Sequence, residues 1–138
     1  MVQNLDISPD GSLIVYPKFR YGENQSMIFD IIKIDIEKKK KTLLTSSMRA
    51  NYPKFSPSGE KILFIDHKRS ITDLYLMDVD GDNIKKLTSN TFDAQIITPC
   101  WSPNEEEIAF AESGPDGNLD LHTMLIETGK KTQITKSK

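Results

Sequence analysis

Closely spaced carboxylates are the first side chains in this sequence whose types suggest chemistry. Three aspartates alternate with other residues between Asp78 and Asn83, and acidic oxygens at such spacing are what a calcium ion requires. An EF-hand calcium loop also needs glycine at its sixth position and glutamate at its twelfth, where this chain has Asn83 and Ser89. We therefore interpret the segment as a hairpin turn around a glycine and predict no calcium site.

The two histidines, His67 and His122, and the single cysteine, Cys100, are too dispersed to indicate a metal centre. A metal site usually takes three or four ligands at a recognisable spacing. We interpret His67 as a solvated loop residue and His122 as a hydrogen-bonded strand residue, and we predict neither a metal nor another cofactor. Cys100 has no partner for a disulfide within the chain, so packing must stabilise the fold.

Catalytic nucleophiles and acid–base pairs also lack support in the sequence. The Gly-x-Ser-x-Gly motif is absent, and no serine has a histidine and an aspartate nearby. The consecutive carboxylates Glu105–Glu107 are typical of a solvated turn, because they lack the desolvation that tunes a catalytic acid. The sequence therefore predicts that this chain is not an enzyme.

Composition and charge exclude several classes of partner. The 138 residues are 37% hydrophobic and 28% charged, which is typical of one soluble globular domain. Because 20 acidic and 18 basic residues are interleaved and the net charge is -2, no strong field favours nucleic acid or an anionic membrane. We interpret the basic run Lys38–Lys41 as a charged rim that discourages edge-to-edge pairing. No segment has the apolar length of a membrane span, so we expect no membrane insertion.

The elements that position these residues follow from an internal repeat. Turn signals recur at intervals of 48 and 46 residues, at Ser8-Pro9, Ser56-Pro57 and Ser102-Pro103. A short β-type run that ends in an aromatic residue follows each turn, at Ile14–Tyr16, Ile62–Phe64 and Ile108–Phe110. A repeat of this length is characteristic of stacked supersecondary units.

An aspartate and an aliphatic-threonine pair mark the second half of each repeat. The aspartate is expected to open a strand, and it precedes the threonine by 15 residues in every copy, at Asp30 and Thr45, Asp73 and Thr88, and Asp120 and Thr135. Turn residues between the two anchors predict a tight hairpin. Each repeat therefore has four strands, the first of which precedes the Ser-Pro turn. No segment has the sustained apolar period of a helix.

Several of these motifs resemble the TolB-type, WD-like propeller repeat. The resemblance lies in Phe55–Gly59, Ile62–Phe64, Asp73–Gly81, Lys85–Thr88 and, at the start of the third copy, Pro99–Pro103. It implies an all-β protein, a β-propeller made of three four-stranded antiparallel blades in this chain. We expect blade one at 1–45, blade two at 46–88 and blade three at 89–138.

Three blades do not close a propeller. Each blade buries its apolar faces against two neighbours, so one face of the first blade and one face of the last need a partner. Closed rings have roughly 4 to 8 blades, and the resemblance implies a ring of six. We expect half of a six-bladed ring, completed by a second copy in a homodimer or by the remainder of a longer propeller.

The resemblance implies a non-catalytic module that binds or scaffolds a protein or peptide. An alternative is the accessory propeller of a prolyl-oligopeptidase-type hydrolase, and a third interpretation is a sugar-acid lyase of similar fold. Variable loops on a rigid frame are where such folds carry function. The candidate partner-binding residues in these loops are Phe19, Arg20, Tyr21, Arg49, Tyr52, His67, Arg69, Asp93 and Gln95. The connection between second and third strands is expected to be longest in blade one, at Pro17–Gln25.

The cellular compartment stays open at this stage. Residues 1–10 lack the cationic region, the apolar run and the cleavage site of a signal peptide. A TolB-like protein whose signal had been trimmed is expected in the periplasm or elsewhere outside the cytoplasm. Otherwise the cytoplasm is expected.

Overall fold

Three antiparallel sheets of four strands make up the fold. The computed structural model describes residues 4–22, 25–91, 94–114 and 116–137. The first sheet contains β1 (Asp6–Ile7), β2 (Leu13–Tyr21), β3 (Met27–Asp35) and β4 (Lys40–Leu43). The second contains β5 (Ala50–Phe55), β6 (Lys61–Lys68), β7 (Ile71–Asp78) and β8 (Lys85–Lys86). The third contains β9 (Gln95–Trp101), β10 (Glu107–Ser113), β11 (Leu119–Leu125) and β12 (Lys131–Gln133).

Strands that are consecutive in sequence are neighbours in each sheet, which is the order of a propeller blade. The predicted all-β class with three four-stranded blades is therefore confirmed. Each sheet lies within one of the expected blade ranges, whose exact limits stay a prediction. No helix among the described residues is long and apolar enough to cross a lipid bilayer.

The Ser-Pro turns join the first two strands of each blade through the serine side chain. The Oγ atoms of Ser8, Ser56 and Ser102 accept a hydrogen bond from the backbone N–H five residues later, at 2.8, 3.1 and 3.0 Å. A backbone hydrogen bond from the fourth turn residue to the serine carbonyl closes each turn, at 2.8, 2.8 and 3.1 Å. The turns that the sequence predicts are therefore confirmed, and the serine side chains have a structural role in them.

The constant interval between aspartate and threonine corresponds to a direct hydrogen bond. The threonine Oγ1 donates to the aspartate carboxylate at 3.1, 2.9 and 3.2 Å in blades one, two and three. The same oxygen accepts a hydrogen bond from the backbone N–H that follows the aspartate, at 2.9, 3.0 and 2.8 Å. The chain that follows the fourth strand is thereby fixed to the third strand. The aspartate does not open that strand, because Asp30 is the fourth residue of β3 and Asp73 the third of β7.

Two apolar clusters lie between the sheets. Strand β6 contributes to both, because successive side chains of a strand point to opposite faces. Ile62 and Phe64 belong to the cluster with blade one, whereas Leu63 and Ile65 belong to the cluster with blade three. All four are at most 2% exposed. Burial of each such side chain stabilises the fold by about 1.5–3 kcal/mol, so the contact between blades is the main source of stability.

The hairpin of blade one is longer than the sequence predicts. The segment Pro17–Gln25 was expected as a connection, but β2 continues to Tyr21 and pairs with β3 from Met27 onward. Pro17 is tolerated inside β2 because the short strand β1 pairs only with Ile14 and Val15, so no neighbour needs an N–H at Pro17.

Apolar side chains remain exposed on the faces of the first and third sheets that turn away from the second. Leu121 and Ile134 of blade three are 53% and 59% exposed. They occupy the positions of Leu74 and Leu87, which pack between blades two and three. In blade one, Ile7 occupies the position of a buried phenylalanine of blade two and is 52% exposed.

Candidate binding site

A groove lined by basic residues lies where the first and second blades meet. Its first cleft has a volume of about 370 Å³ and is lined by Ser47, Met48, Arg49, Asp66, His67, Lys68, Arg69 and Tyr75. Its second cleft has a volume of about 490 Å³ and is lined by Arg20, Gly22, Ser26, Ile28, Ser46, Ser47 and Arg49. The two clefts share Ser47 and Arg49, so we treat them as one site and call it the basic groove.

Strand pairing brings together groove residues that are distant in sequence. Strand β5 begins directly after Arg49 and pairs with the end of β6, where Ala50 lies opposite Asp66. The backbone N–H of His67 donates to the Arg49 carbonyl at 3.4 Å. Antiparallel pairing therefore places the Arg49 and His67 positions side by side on the frame of blade two.

A two-residue turn holds Arg69 at the rim of the groove. Lys68 pairs with Ile71 across β6 and β7, which leaves Arg69 and Ser70 as the loop. Both residues have positive φ, at 52° and 64°. A type I′ turn requires this conformation and favours Asn-Gly. The arginine and the serine therefore occupy a backbone geometry that other residues would adopt with less strain.

Arg20 forms an ion pair with a buried carboxylate. Its Nε donates to Asp30 at 2.5 Å, and the side chains of Arg20 and Asp30 are 39% and 1% exposed. The same carboxylate accepts hydrogen bonds from Thr45 and from the Met48 backbone, at 3.1 and 3.4 Å. Because a buried charge requires such partners, the fold itself uses the charge of Arg20, although its side chain lines the groove.

The other cations of the groove are not neutralised by the described part of the chain. Arg49, Lys68 and Arg69 are exposed, and none forms an ion pair with a residue in the described ranges. One carboxylate, Asp66, lines the first cleft. Burial raises the pKa of Asp66, and the charge of Lys68 opposes that shift. The groove is therefore positively charged and partly shielded from water.

A cleft at the equivalent end of blade three has the opposite balance of charge. Its volume is about 590 Å³, and three carboxylates and two lysines are among its lining residues. One of these carboxylates, Glu112, occupies the position of Asp66 and binds Lys131 at 2.6 Å. The repeated frame therefore accepts a different set of charges at this place, and the charges of Arg49, Lys68 and Arg69 are not required by the fold.

Four predicted binding residues, Arg20, Arg49, His67 and Arg69, line the basic groove. His67 lies in β6 rather than in the predicted loop, because β6 continues to Lys68. A fifth, Gln95, lies beside the rim because its side-chain amide donates to the Ser70 carbonyl. These residues come from all three blades and from the connections between strands and blades, as expected for one face of a propeller. Their role in binding a partner stays a prediction.

Three other predicted binding residues, Phe19, Tyr21 and Tyr52, are not among the residues that line the groove. Phe19 and Tyr21 contact each other on the extended hairpin of blade one, with ring centroids 5.1 Å apart. Tyr52 packs against the cluster between blades two and three, because a bulge in β5 shifts the strand register between Asn51 and Lys54. Asp93 lies outside the described residues.

The carboxylates considered for metal or acid–base chemistry have structural roles. In the turn between β7 and β8, Asp78 accepts hydrogen bonds from Asn83 and Lys61 at 2.6 and 2.9 Å, and these bonds lower the pKa of Asp78. Glu105 adopts the positive φ of a turn glycine, 61°, and accepts a hydrogen bond from the Ser58 backbone of blade two. Glu105 lies in the predicted turn, and its side chain in addition links blade three to blade two.

His122 occupies the place of Tyr75 in the repeat. Its ring stacks on Phe110 with centroids 5.8 Å apart, as Tyr75 stacks on Phe64 at 5.5 Å. The interpretation of His122 as a hydrogen-bonded strand residue is confirmed by a 3.2 Å contact between its Nδ1 and a backbone carbonyl. Within residues 4–22, 25–91, 94–114 and 116–137, no three His, Cys, Asp or Glu side chains are grouped closely enough to hold a metal ion.

Sequence reasoning did not select Met48, Asp66 or Tyr75 as groove residues. Each has a fixed offset from a repeat anchor, because Met48 follows Thr45 by three residues and Tyr75 follows Asp73 by two. These fixed offsets are the signal in the sequence from which the groove positions could be found. The sequence could not show which of the repeat positions would border open space rather than a neighbouring blade.

No protein-family model matches the chain. An uncharacterized protein of Agrobacterium fabrum is 30% identical over 121 residues, which are 80% of this chain and 39% of that protein. A protein TolB homolog of Chlorobium chlorochromatii is 34% identical over 83 residues, 60% of this chain and 18% of the homolog. An uncharacterized peptidase of Bacillus subtilis is 27% identical over 113 residues, 80% of this chain and 17% of the peptidase. The chain therefore spans less than half the length of these relatives.

Solved structures share the arrangement of the three sheets. The putative TolB from Agrobacterium tumefaciens superposes with a TM-score of 0.78 and 24% identity, over 92% of this chain and 46% of that structure. The β-propeller domain of the Trilobed protease from Pyrococcus furiosus gives 0.76 and 13%, over 98% and 43%. An oligogalacturonate lyase in complex with manganese gives 0.70 and 14%, over 94% and 40%. Together with the repeated turn and aspartate–threonine contacts, these likenesses show that the chain has the fold of a TolB-like β-propeller and contains three of its blades.

Proposed function

We propose that the chain is a non-catalytic propeller module that binds a protein or peptide through the face that carries the basic groove. The observation that carries this proposal is the group of exposed cations Arg49, Lys68 and Arg69, which stand on a rigid frame and form no ion pair with the described residues. Charged side chains that the fold does not use, placed beside a cleft, are typical of a recognition surface.

The test is selection of ligands from a library of randomised 12-residue peptides on the immobilised chain. We expect peptides that bind the wild-type chain and that lose affinity when Arg49 and Arg69 are replaced together, as R49S/R69N. The matched control is K85S, which removes one exposed lysine from β8, outside the groove. Failure to recover any binding peptide above background would contradict the proposal, and so would peptides that bind both variants and the wild type equally.

The open faces of the first and third sheets support a second part of the proposal, that further blades cover them. Leu121 and Ile134 repeat the positions that join blade two to blade three, so a face like that of blade one fits them. The further blades come from a second copy, in a six-bladed homodimer, or from the remainder of a longer propeller. A solution mass near twice 15.7 kDa by light scattering, reduced by I134D, is expected for the homodimer. A folded monomer at all concentrations contradicts it.

An accessory propeller of a hydrolase is the second candidate function, and the likeness to the Bacillus subtilis peptidase favours it. The two candidates differ in the sequence next to these residues in the parent gene. A neighbouring segment with a Ser-Asp-His hydrolase pattern would support the accessory role, whereas further propeller repeats would support the binding module. A third candidate, a sugar-acid lyase, predicts binding of an oligogalacturonate, which calorimetry can measure.

A further inference from the structure

We propose that the basic groove recognises the carboxylate side chains of an extended acidic peptide segment. This inference rests on the proposed peptide-binding function and names the chemistry of its ligand. Arginine guanidinium groups match carboxylates in a bidentate geometry, and such charge-assisted pairs are stronger than neutral hydrogen bonds. Arg49 and Arg69 supply two of these groups, and Lys68 adds a third charge.

Blades two and three carry different charges at equivalent positions, and this difference is informative about the ligand. Asp66 and Glu112 are equivalent, and so are His67 and Ser113, because each pair faces the same positions of the neighbouring strand. In blade three Gly114 occupies the place of Lys68, and β10 and β11 still pair from Glu107 to Ser113. Folding therefore does not explain the charge of Lys68, and no described ion pair uses Arg49 or Arg69, whereas an acidic ligand accounts for all three charges.

The shape of the groove favours an extended peptide over a compact ligand. The two clefts, of about 370 and 490 Å³, adjoin at Ser47 and Arg49, so a ligand that contacts both must extend from one cleft into the other. Met48 and Tyr75 contribute partly buried apolar surface to its first cleft. Successive side chains of an extended peptide point to opposite sides, so acidic residues can face the cations while apolar residues contact this floor.

The strained turn provides a clean way to remove one cation. Arg69 occupies a left-handed position, with φ at 52°, where asparagine is favoured over arginine. The substitution R69N therefore removes the guanidinium without disturbing the turn. Asp66 provides the opposite change, because D66N removes the carboxylate that competes with an acidic ligand in the first cleft.

The test uses the peptides selected on the full chain and compares their composition and affinity. We expect enrichment of Asp and Glu among the selected peptides. Fluorescence anisotropy of a selected peptide is expected to show an affinity about tenfold weaker for R49S/R69N, a few-fold stronger for D66N, and within about twofold of wild type for K85S. Replacement of each Asp and Glu of the peptide by Asn and Gln is expected to abolish binding, and added salt to weaken it.

Two outcomes would overturn the inference alone, and they are distinguishable from failure of the proposed function. Selected peptides without acidic enrichment, whose binding still depends on Arg49, would keep the binding module and refute acidic recognition. Binding of the Asn and Gln peptide as tight as that of its parent would do the same. Binding of oligogalacturonate at the groove without any peptide binding would refute both the inference and the peptide-binding module, and would favour a sugar acid as the ligand. Recovery of no binding peptide at all would refute the module itself.

Discussion

Replacing Thr88 by valine tests whether the aspartate–threonine contact holds each blade together. Thr88 and Asp73 are 8% and 7% exposed. The Thr88 Oγ1 accepts a hydrogen bond from the Leu74 backbone at 3.0 Å and donates one to Asp73 at 2.9 Å. Valine has nearly the same volume but lacks the hydroxyl, so T88V removes both bonds without leaving a cavity.

The expected loss follows from what each partner keeps. The Leu74 N–H is left buried without an acceptor, which costs about 1–3 kcal/mol. Asp73 keeps a hydrogen bond from the Asn90 backbone at 2.8 Å and an ion pair with Lys86 at 2.8 Å, so its loss is smaller, about 1 kcal/mol. We expect T88V to lower the free energy of unfolding by about 3 kcal/mol, and the melting temperature by about 10 °C.

Urea unfolding followed by the fluorescence of Trp101 measures this change. The control is T88S, which keeps the hydroxyl and loses one methyl group, at a cost of about 1 kcal/mol. A loss below about 1 kcal/mol for T88V, or an equal loss for T88V and T88S, would show that the hydroxyl does not stabilise the blade and would refute the reasoning.

Three further predictions concern the equivalent contact in blade three and two turns. Thr135 makes the equivalent bonds in blade three at 2.8 and 3.2 Å but is exposed. T135V is therefore expected to lower the free energy of unfolding in urea by less than about 1 kcal/mol. A loss as large as that of T88V would show that another blade covers this face. S70G is expected to raise the free energy of unfolding by about 1 kcal/mol, because glycine removes the strain of a φ of 64°; unchanged or lower stability would contradict this. The Ser8 hydroxyl lowers the pKa of Asp10 to about 2, so the carboxylate favours the folded state above about pH 4 and loses this effect as the pH falls through about 2. D10N is therefore expected to flatten the melting temperature between those pH values, and a profile identical to wild type would refute the assignment.

The blades could be predicted from sequence because their defining contacts are local and repeated. Ser56 binds a backbone group five residues away, and Asp73 binds Thr88 at a fixed interval of 15 residues. Such contacts leave a constant spacing in the sequence, whichever neighbours surround the blade. That spacing predicts the four strands of each blade, the turns and most of the core positions.

The parts that could not be predicted depend on contacts between elements. The extension of β2 beyond Pro17 depends on where the short strand β1 stops pairing, which no residue of the hairpin itself specifies. The position of Tyr52 depends on a bulge in β5, which turns its side chain toward blade three rather than toward the groove. Glu105 replaces a turn glycine, and its contact with the Ser58 backbone exists only because blade two is adjacent.

The basic groove depends both on repeated positions within the blades and on contacts that differ from blade to blade. Asp30 and Asp73 lie at the same repeat position, but Asp30 is neutralised by Arg20 from the same hairpin and Asp73 by Lys86 from the outer strand. The repeat thus fixes where a carboxylate must be satisfied, while the choice of its partner varies from blade to blade. Arg49 and Arg69 form no such ion pair with the described residues. Their charges are therefore the features of this surface that stability does not explain, and a ligand with complementary charge is the explanation that the proposed experiments test.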